Sequence, residues 1–182
     1  AAHARTKGYL IEEIARRSGH QFDPDLPIIA YARRMTGYKR PDLVFSDLER
    51  LRTIAAARPF QLVMAGKAHP ADLSGQDLIR EAHAHMRHLE GVIPMAFLAD
   101  YDLALAQKLV SGADIWLNTP LPPYEASGTS GMKAGTNGVL NLSVLDGWWL
   151  EGWVEGVTGW AFGLDRDNPT DSSGYPFYKL EA

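Results

Sequence analysis

The stretch Ile28-Ile29-Ala30-Tyr31-Ala32 is five apolar residues in a row. It runs without a break into Arg33-Arg34-Met35-Thr36-Gly37-Tyr38-Lys39-Arg40, which holds four cations in eight residues. A continuous apolar run, rather than an alternating one, predicts a strand covered on both faces, as in a parallel sheet. Working outward, β-favouring apolar runs recur at 62–65, 92–98, 115–117 and 139–145. Their separation of roughly 20 to 35 residues is that of strand–helix units.

Helical patterns fill the gaps. Leu43, Val44, Leu48, Leu51, Ile54 and Ala55 form a stripe of helical period, with Pro41 near its start. Residues 76–89 read as a second, mostly polar helix. Residues 102–110 read as a third, with Leu103, Ala106, Leu109 and Val110 on one side. A leading helix over 6–17 stops near Gly19, and a short helical stretch is expected at 134–138. The alternating order predicts an α/β fold, a doubly wound parallel sheet in which right-handed crossovers bring all strand C-termini to one edge. Ligands of such sheets bind beyond that edge. Function is therefore expected in the loops 33–40, 66–72, 99–102 and 118–133, and from Asp146 onward. The last of these leads into a Gly-rich segment with Trp148, Trp149, Trp153 and Trp160, which reads as irregular and packed.

Composition sets outer limits. The chain has 182 residues, 18 Lys plus Arg against 22 Asp plus Glu, a formal charge of −4 and no cysteine. That is enough chain for one sizeable core. Mild acidity gives no reason to expect nucleic acid or an anionic membrane as partner. Absence of cysteine excludes disulfides and thiolate metal sites, and fits a reducing, cytoplasmic setting. No apolar run reaches the roughly 18 residues of a membrane span. His83, His85 and His88 share a helix with Glu81, but no HExxH pattern is present and no metal is expected. The start at Ala1-Ala2-His3 and the helix-like ending Tyr178-Lys179-Leu180-Glu181-Ala182 suggest a piece of a longer chain.

The densest chemical signal is Glu125-Ala126-Ser127-Gly128-Thr129-Ser130-Gly131-Met132-Lys133, just after the fourth strand. Small residues there let backbone N–H groups approach an anion at a helix N-terminus, with Thr129 and Ser130 adding hydroxyls. It is neither a Walker A loop nor a G-x-G-x-x-G turn. Arg33 to Arg40 and Lys67 add cations at the same edge of an otherwise acidic chain. Their convergence points to a phosphate-rich ligand.

These residues resemble the α-glucan (glycogen, starch and maltodextrin) phosphorylases. The resemblance rests on Glu125 to Lys133 with Asn137-Gly138 and Asp146-Gly147. Ala32-Arg33-Arg34, Tyr38-Lys39-Arg40, Ala65 to Pro70, Phe97-Leu98 and Asp100-Tyr101 follow the family's order, from about Leu10 to Gly163. The resemblance implies that residues 1–182 form a single, partial domain. It would be the C-terminal, Rossmann-like half of a GT-B fold whose N-terminal domain lies outside this chain. It implies pyridoxal 5′-phosphate held covalently on Lys133. It also implies reversible phosphorolysis of terminal α-1,4-linked glucose, with α-1,4-glucan, inorganic phosphate and glucose 1-phosphate as partners. Arg34 and Lys39 would clamp the substrate phosphate, while Arg33, Thr129 and Ser130 would hold the cofactor phosphate. Glu125, Ser127 and Gly128 would bind the glucosyl unit, and Tyr101 would lie against the cofactor pocket. Lys133, Arg34, Lys39 and Glu125 are the expected catalytic set. Homo-oligomers are common in the family, mainly through regions outside this chain.

There are departures from the pattern. Many members carry Lys at the position of Arg33, vertebrate-type enzymes carry Arg at that of Asp102, and Gly135-Thr136 replaces a more helix-favouring pair. Two other readings stay open. One is a nucleotide-sugar-dependent glycosyltransferase of the same fold, which would not need Lys133. The other is a non-catalytic glucan-binding fragment.

Overall fold

The computed structural model describes residues 2–163. Six parallel strands form one sheet in the order β3-β2-β1-β4-β5-β6. They are β1 (Ile28–Ala32), β2 (Gln61–Ala65), β3 (Met95–Leu98), β4 (Ile115–Asn118), β5 (Leu140–Val144) and β6 (Gly159–Phe162). The helices are α1 (Ala2–Ser18), α2 (Leu48–Ala57), α3 (Leu73–His88), α4 (Leu103–Gly112), α5 (Thr129–Thr136) and α6 (Trp149–Gly152). This is the expected doubly wound α/β architecture.

Strand alternation divides the core in two. Ile28, Ala30 and Ala32 of β1 pack with Leu10 and Ile14 of α1, Leu105 and Leu109 of α4, and Ala134 of α5. Tyr31, next along, turns to the opposite face, where Ala55 of α2 and Ala82 of α3 close over Leu62 and Met64. Burial on both faces explains why the central strands read as unbroken apolar runs.

Several sequence expectations are corrected. The stripe over 43–55 is not one helix: its first part is a 3-10 turn, Leu43–Phe45. The α-helix proper starts at Leu48, because the Asp47 carboxylate caps it by accepting the Arg50 N–H at 2.9 Å. Pro41 therefore does not open it. Helix α3 is not polar throughout: Ile79, Ala82 and Met86 face the core, and half-buried His85 stacks on Phe45 at 5.2 Å between ring centroids. His83 lies against Phe97, and burial lowers its pKa from the ordinary imidazole value. The third run is a strand only from Met95, since 92–94 make the turn into it. The Trp-rich segment is partly regular, adding α6 and the edge strand β6. The helical turn expected at 178–182 lies outside the described residues.

A buried carboxylate helps tie helix α1 to α4, beside the ion pair of Lys7 with Asp114 at 2.8 Å. Glu13, buried, accepts from Arg16 and Arg17 on its own helix, each at 2.5 Å, and from Lys108 of α4 at 2.8 Å. Hydrogen bonds from Arg16, then Arg17, then Lys108 hold its carboxyl far below the carboxylate range. Because the folded value is depressed, this stabilisation is complete above the ordinary value of 4.5 and is lost as pH falls through the folded one. Glu13→Gln is expected to cost about 1 to 2 kcal/mol at neutral pH, reduced by the exposure of Arg16 and Lys108. It should also flatten the fall of stability below about pH 4.5. Urea melts of both forms at pH 7 and pH 3 check this; a parallel loss in wild type and variant would refute it.

Candidate active site

The strand order reverses between β1 and β4, and their C-terminal loops part there. An open α/β sheet forms its ligand crevice at such a switch point. The cation-rich loop 33–40 leaves β1 on one side of it. The loop carrying Glu125 leaves β4 on the other, and α5 starts behind it.

Main-chain and side-chain bonds lock the two loops together. The Leu121 N–H donates to the Tyr38 carbonyl at 2.7 Å. Arg40 donates through Nε to the Thr119 carbonyl at 2.9 Å and through Nη2 to the Pro120 carbonyl at 2.7 Å. The Thr119 hydroxyl and the buried Tyr31 hydroxyl both donate to the Lys39 carbonyl, at 2.7 and 3.0 Å. Arg40 is thus a framework residue of the cleft, a role that its sequence context did not separate from the other three cations.

The centre of the site is a carboxylate between two cations. Lys39 Nζ hydrogen-bonds Glu125 Oε2, and Arg33 Nη1 stands 3.6 Å from the same oxygen. Arg33 is only 7% exposed, and its Nε and Nη2 are buried without a hydrogen-bond partner. A buried guanidinium with two idle donors is costly unless an acceptor arrives. Its carbon lies 5.2 Å from the Tyr31 ring centroid, which supports the cation's face but accepts no hydrogen bond. Arg34 is exposed, as alternation along an extended chain requires. Tyr101, half-buried against the same core, feels the Arg33 charge. Burial raises its phenol above the ordinary value and Arg33 opposes the rise.

Helix α5 begins at Thr129, earlier than the sequence pattern suggested, with Gly128 in the left-handed region at φ 85°. A side chain there would be strained, and its Cβ would meet the Trp148 ring at 3.3 Å. Thr129 is exposed and Ser130 half-buried in the first turn, while Lys133 is exposed in the second turn. Exposure of Lys133 differs from the desolvated setting that suits an amine to imine chemistry. Ser127 is also exposed. Asp102 is engaged elsewhere: its carboxylate caps α4 by accepting the Leu105 N–H at 2.8 Å, which holds it below the ordinary range.

The loop after β5 braces this arrangement, which sequence reading did not foresee. Buried Asp146 accepts the Glu125 N–H through Oδ2 and the Gly147 N–H through Oδ1, both at 2.9 Å. The Trp148 N–H donates to the Ser127 carbonyl at 2.8 Å. The Asp146-Gly147 pair stood in the sequence pattern without an assigned task; an acidic residue two positions past a buried strand was the available signal.

A parallel sheet with a half-satisfied cationic pocket at its switch point, facing a glycine-opened helix, defines an α/β domain suited to anions. Comparison with known proteins carries this to a family. The carbohydrate phosphorylase family model matches residues 1–168, and the chain belongs to that family. A glycogen phosphorylase of Aquifex aeolicus is 48% identical over 180 residues, covering 88% of this chain and 26% of that protein. A maltodextrin phosphorylase of Thermococcus litoralis is 42% identical over 182 residues, 92% of this chain and 22% of the relative. A glycogen phosphorylase of Mycobacterium tuberculosis is 46% identical over 156 residues, 82% and 18% respectively. The chain therefore spans about a quarter or less of the length of these relatives. Among the described residues, no helix is long and apolar enough to cross a membrane.

Proposed function

We propose that this chain provides the phosphate-binding half of the active site for reversible phosphorolysis of terminal α-1,4-linked glucose in glucans. The observation that carries the reading is the buried Arg33 guanidinium, with two unpartnered nitrogens beside Lys39 and Glu125. An anion with several acceptor oxygens would satisfy those donors.

The phosphate-binding residues fit pyridoxal 5′-phosphate on the same ground, while Lys133 stands exposed in this domain by itself. Arg33, with Thr129 and Ser130 at the start of α5, would hold its phosphate, Lys133 would carry it, and Tyr101 would wall the pocket. When bound, the cofactor supplies a second phosphate able to exchange a proton with the substrate phosphate. Two phosphates side by side repel, so a cationic edge is needed even in a protein of negative net charge.

Arg34 and Lys39 would orient inorganic phosphate toward the anomeric carbon. One phosphate oxygen bonds to that carbon as the glycosidic C–O bond breaks, and the leaving 4-oxygen takes a proton from the phosphate. Glu125 would accept hydrogen bonds from the glucosyl hydroxyls and stabilise positive charge near the anomeric carbon, with Ser127 and Gly128 beside it. Lys39, released from Glu125, would then turn to phosphate. The glucan itself would lie between this domain and a second, N-terminal one.

The full chain is expected to release glucose 1-phosphate from maltodextrin only when inorganic phosphate is present. The 182-residue chain alone is expected to show negligible turnover. Borohydride reduction in the presence of the cofactor, followed by peptide mapping, should place a pyridoxyl label on Lys133. No label there, with no phosphate-dependent release of glucose 1-phosphate by the full-length protein, would favour a nucleotide-sugar transferase instead. Robust turnover by the 182-residue chain would overturn the two-domain assignment.

A further inference from the structure

Glu125 sits in a loop with little regular structure, yet its carboxylate is held between two cations. Something must fix the backbone at that point. The Glu125 N–H is taken by Asp146 Oδ2 at 2.9 Å. Two residues on, the Ser127 carbonyl is taken by the Trp148 N–H at 2.8 Å. The two loops approach so closely that a Cβ on Gly147 would lie 2.6 Å from the Ser127 oxygen and 3.0 Å from the Glu125 oxygen. Gly147 also adopts φ 56°. Asp146 itself is 7% exposed, and both carboxylate oxygens are used on main-chain N–H groups.

We propose that Asp146 is a positioning residue for Glu125, the buried carboxylate at the end of β5 setting where the Glu125 side chain stands against Lys39 and Arg33. The inference rests on the phosphorolysis reading for its kinetic consequence, but the geometric claim is independent of it. An ionised carboxylate can accept from two N–H groups at once. Asparagine keeps one acceptor and turns an NH2 against the other donor. Alanine keeps neither and leaves both the Glu125 and Gly147 N–H groups without that acceptor. A graded series is therefore expected.

The test uses the full chain carrying Asp146→Asn, Asp146→Ala or no change. Hydrogen exchange of the Glu125 amide is expected to quicken about tenfold in the Asn variant and more in the Ala variant. Amides of β4 should stay protected. Phosphorolysis should lose about tenfold in kcat for Asn and about a hundredfold for Ala. The KM for inorganic phosphate should move less than kcat, because Arg34 makes no bond to the Asp146 loop and only Lys39, through Glu125, feels the change. Kinetics measured per folded protein, with the fraction taken from circular dichroism, separate this from simple unfolding. Unchanged Glu125 exchange in either folded variant overturns the inference. So does a kcat that falls only in proportion to the folded fraction. If the wild-type full-length protein releases no glucose 1-phosphate, the phosphorolysis reading falls, and the exchange rate alone decides the role of Asp146.

Discussion

Arg33→Met is expected to leave the cofactor-free protein at least as stable as wild type while removing about a hundredfold of its affinity for pyridoxal 5′-phosphate. The two effects have one cause. In the free protein the guanidinium is buried, two of its nitrogens have no acceptor, and its ion pair with Glu125 spans 3.6 Å. A buried charge so poorly paired is a net cost, and a methionine of similar length fills the space without it. Glu125 is not orphaned by the change, because Lys39 stays bound to it. A gain of about 1 kcal/mol in phosphate-free buffer is expected. With pyridoxal 5′-phosphate at a hundred times its dissociation constant, wild type should be stabilised by about 2.7 kcal/mol and the variant by far less. Thermal melts with and without phosphate and pyridoxal 5′-phosphate decide this. Equal ligand-induced shifts in both forms would remove Arg33 from the anion site.

The site thus holds a stored cost, which explains a pattern visible along the chain. Departures from local consistency are expected where a residue is proposed to serve a ligand. Strands β1, β2 and β4 were legible because burial on two faces imposes continuous apolar runs, and β5, which alternates leucine and valine with Asn141 and Ser143, through its β-favouring residues and spacing. The cationic loop stood out because Arg33 and Arg34 follow Ala32 with no turn between them. Strand β6 was not legible. Among the described residues β5 is the one named strand it pairs with; β6 begins at Gly159 and leaves Trp160 39% exposed, so neither an unbroken nor an alternating pattern forms. The start of α5 was hidden for a different reason: Gly131 and Gly135 lower helix propensity over the residues that the helix must include. Tertiary contact overrides that propensity. Asp146 was readable as an acidic residue at a ligand-facing edge, but not as a partner of Glu125. The two are 21 positions apart, and only the adjacency of β4 and β5 brings their loops together.

The two glycines of α5 should respond to the same substitution with opposite signs. Gly131 faces the sheet. A Cβ there would lie 2.8 Å from both Asn141 Oδ1 and Trp148 Nε1, and 3.0 Å from Asn118 Nδ2. None of these can withdraw cheaply. Asn141 is fully buried and donates through Nδ2 to the Gly131 carbonyl at 3.2 Å, and its Oδ1 accepts from Asn118 at 3.4 Å. At Gly135 a Cβ would stand 3.6 Å from Trp148 Cη2 and 3.7 Å from Asn141 Nδ2, ordinary contacts that add packing. Alanine is favoured over glycine inside a helix by up to about 1 kcal/mol, and Gly135→Ala should realise most of that gain. Gly131→Ala carries the same propensity gain, but overpacking outweighs it, for a net loss of about 2 kcal/mol. The helix can relieve the clash only by moving off the sheet, taking Thr129, Ser130 and Lys133 with it. Gly131→Ala should therefore also lose borohydride-trapped pyridoxyl label at Lys133, while Gly135→Ala retains it. Urea melts and label yield on the two variants provide the check. Shifts of the same sign would mean that propensity, not the fit of α5 against Trp148 and the asparagine pair, governs this helix.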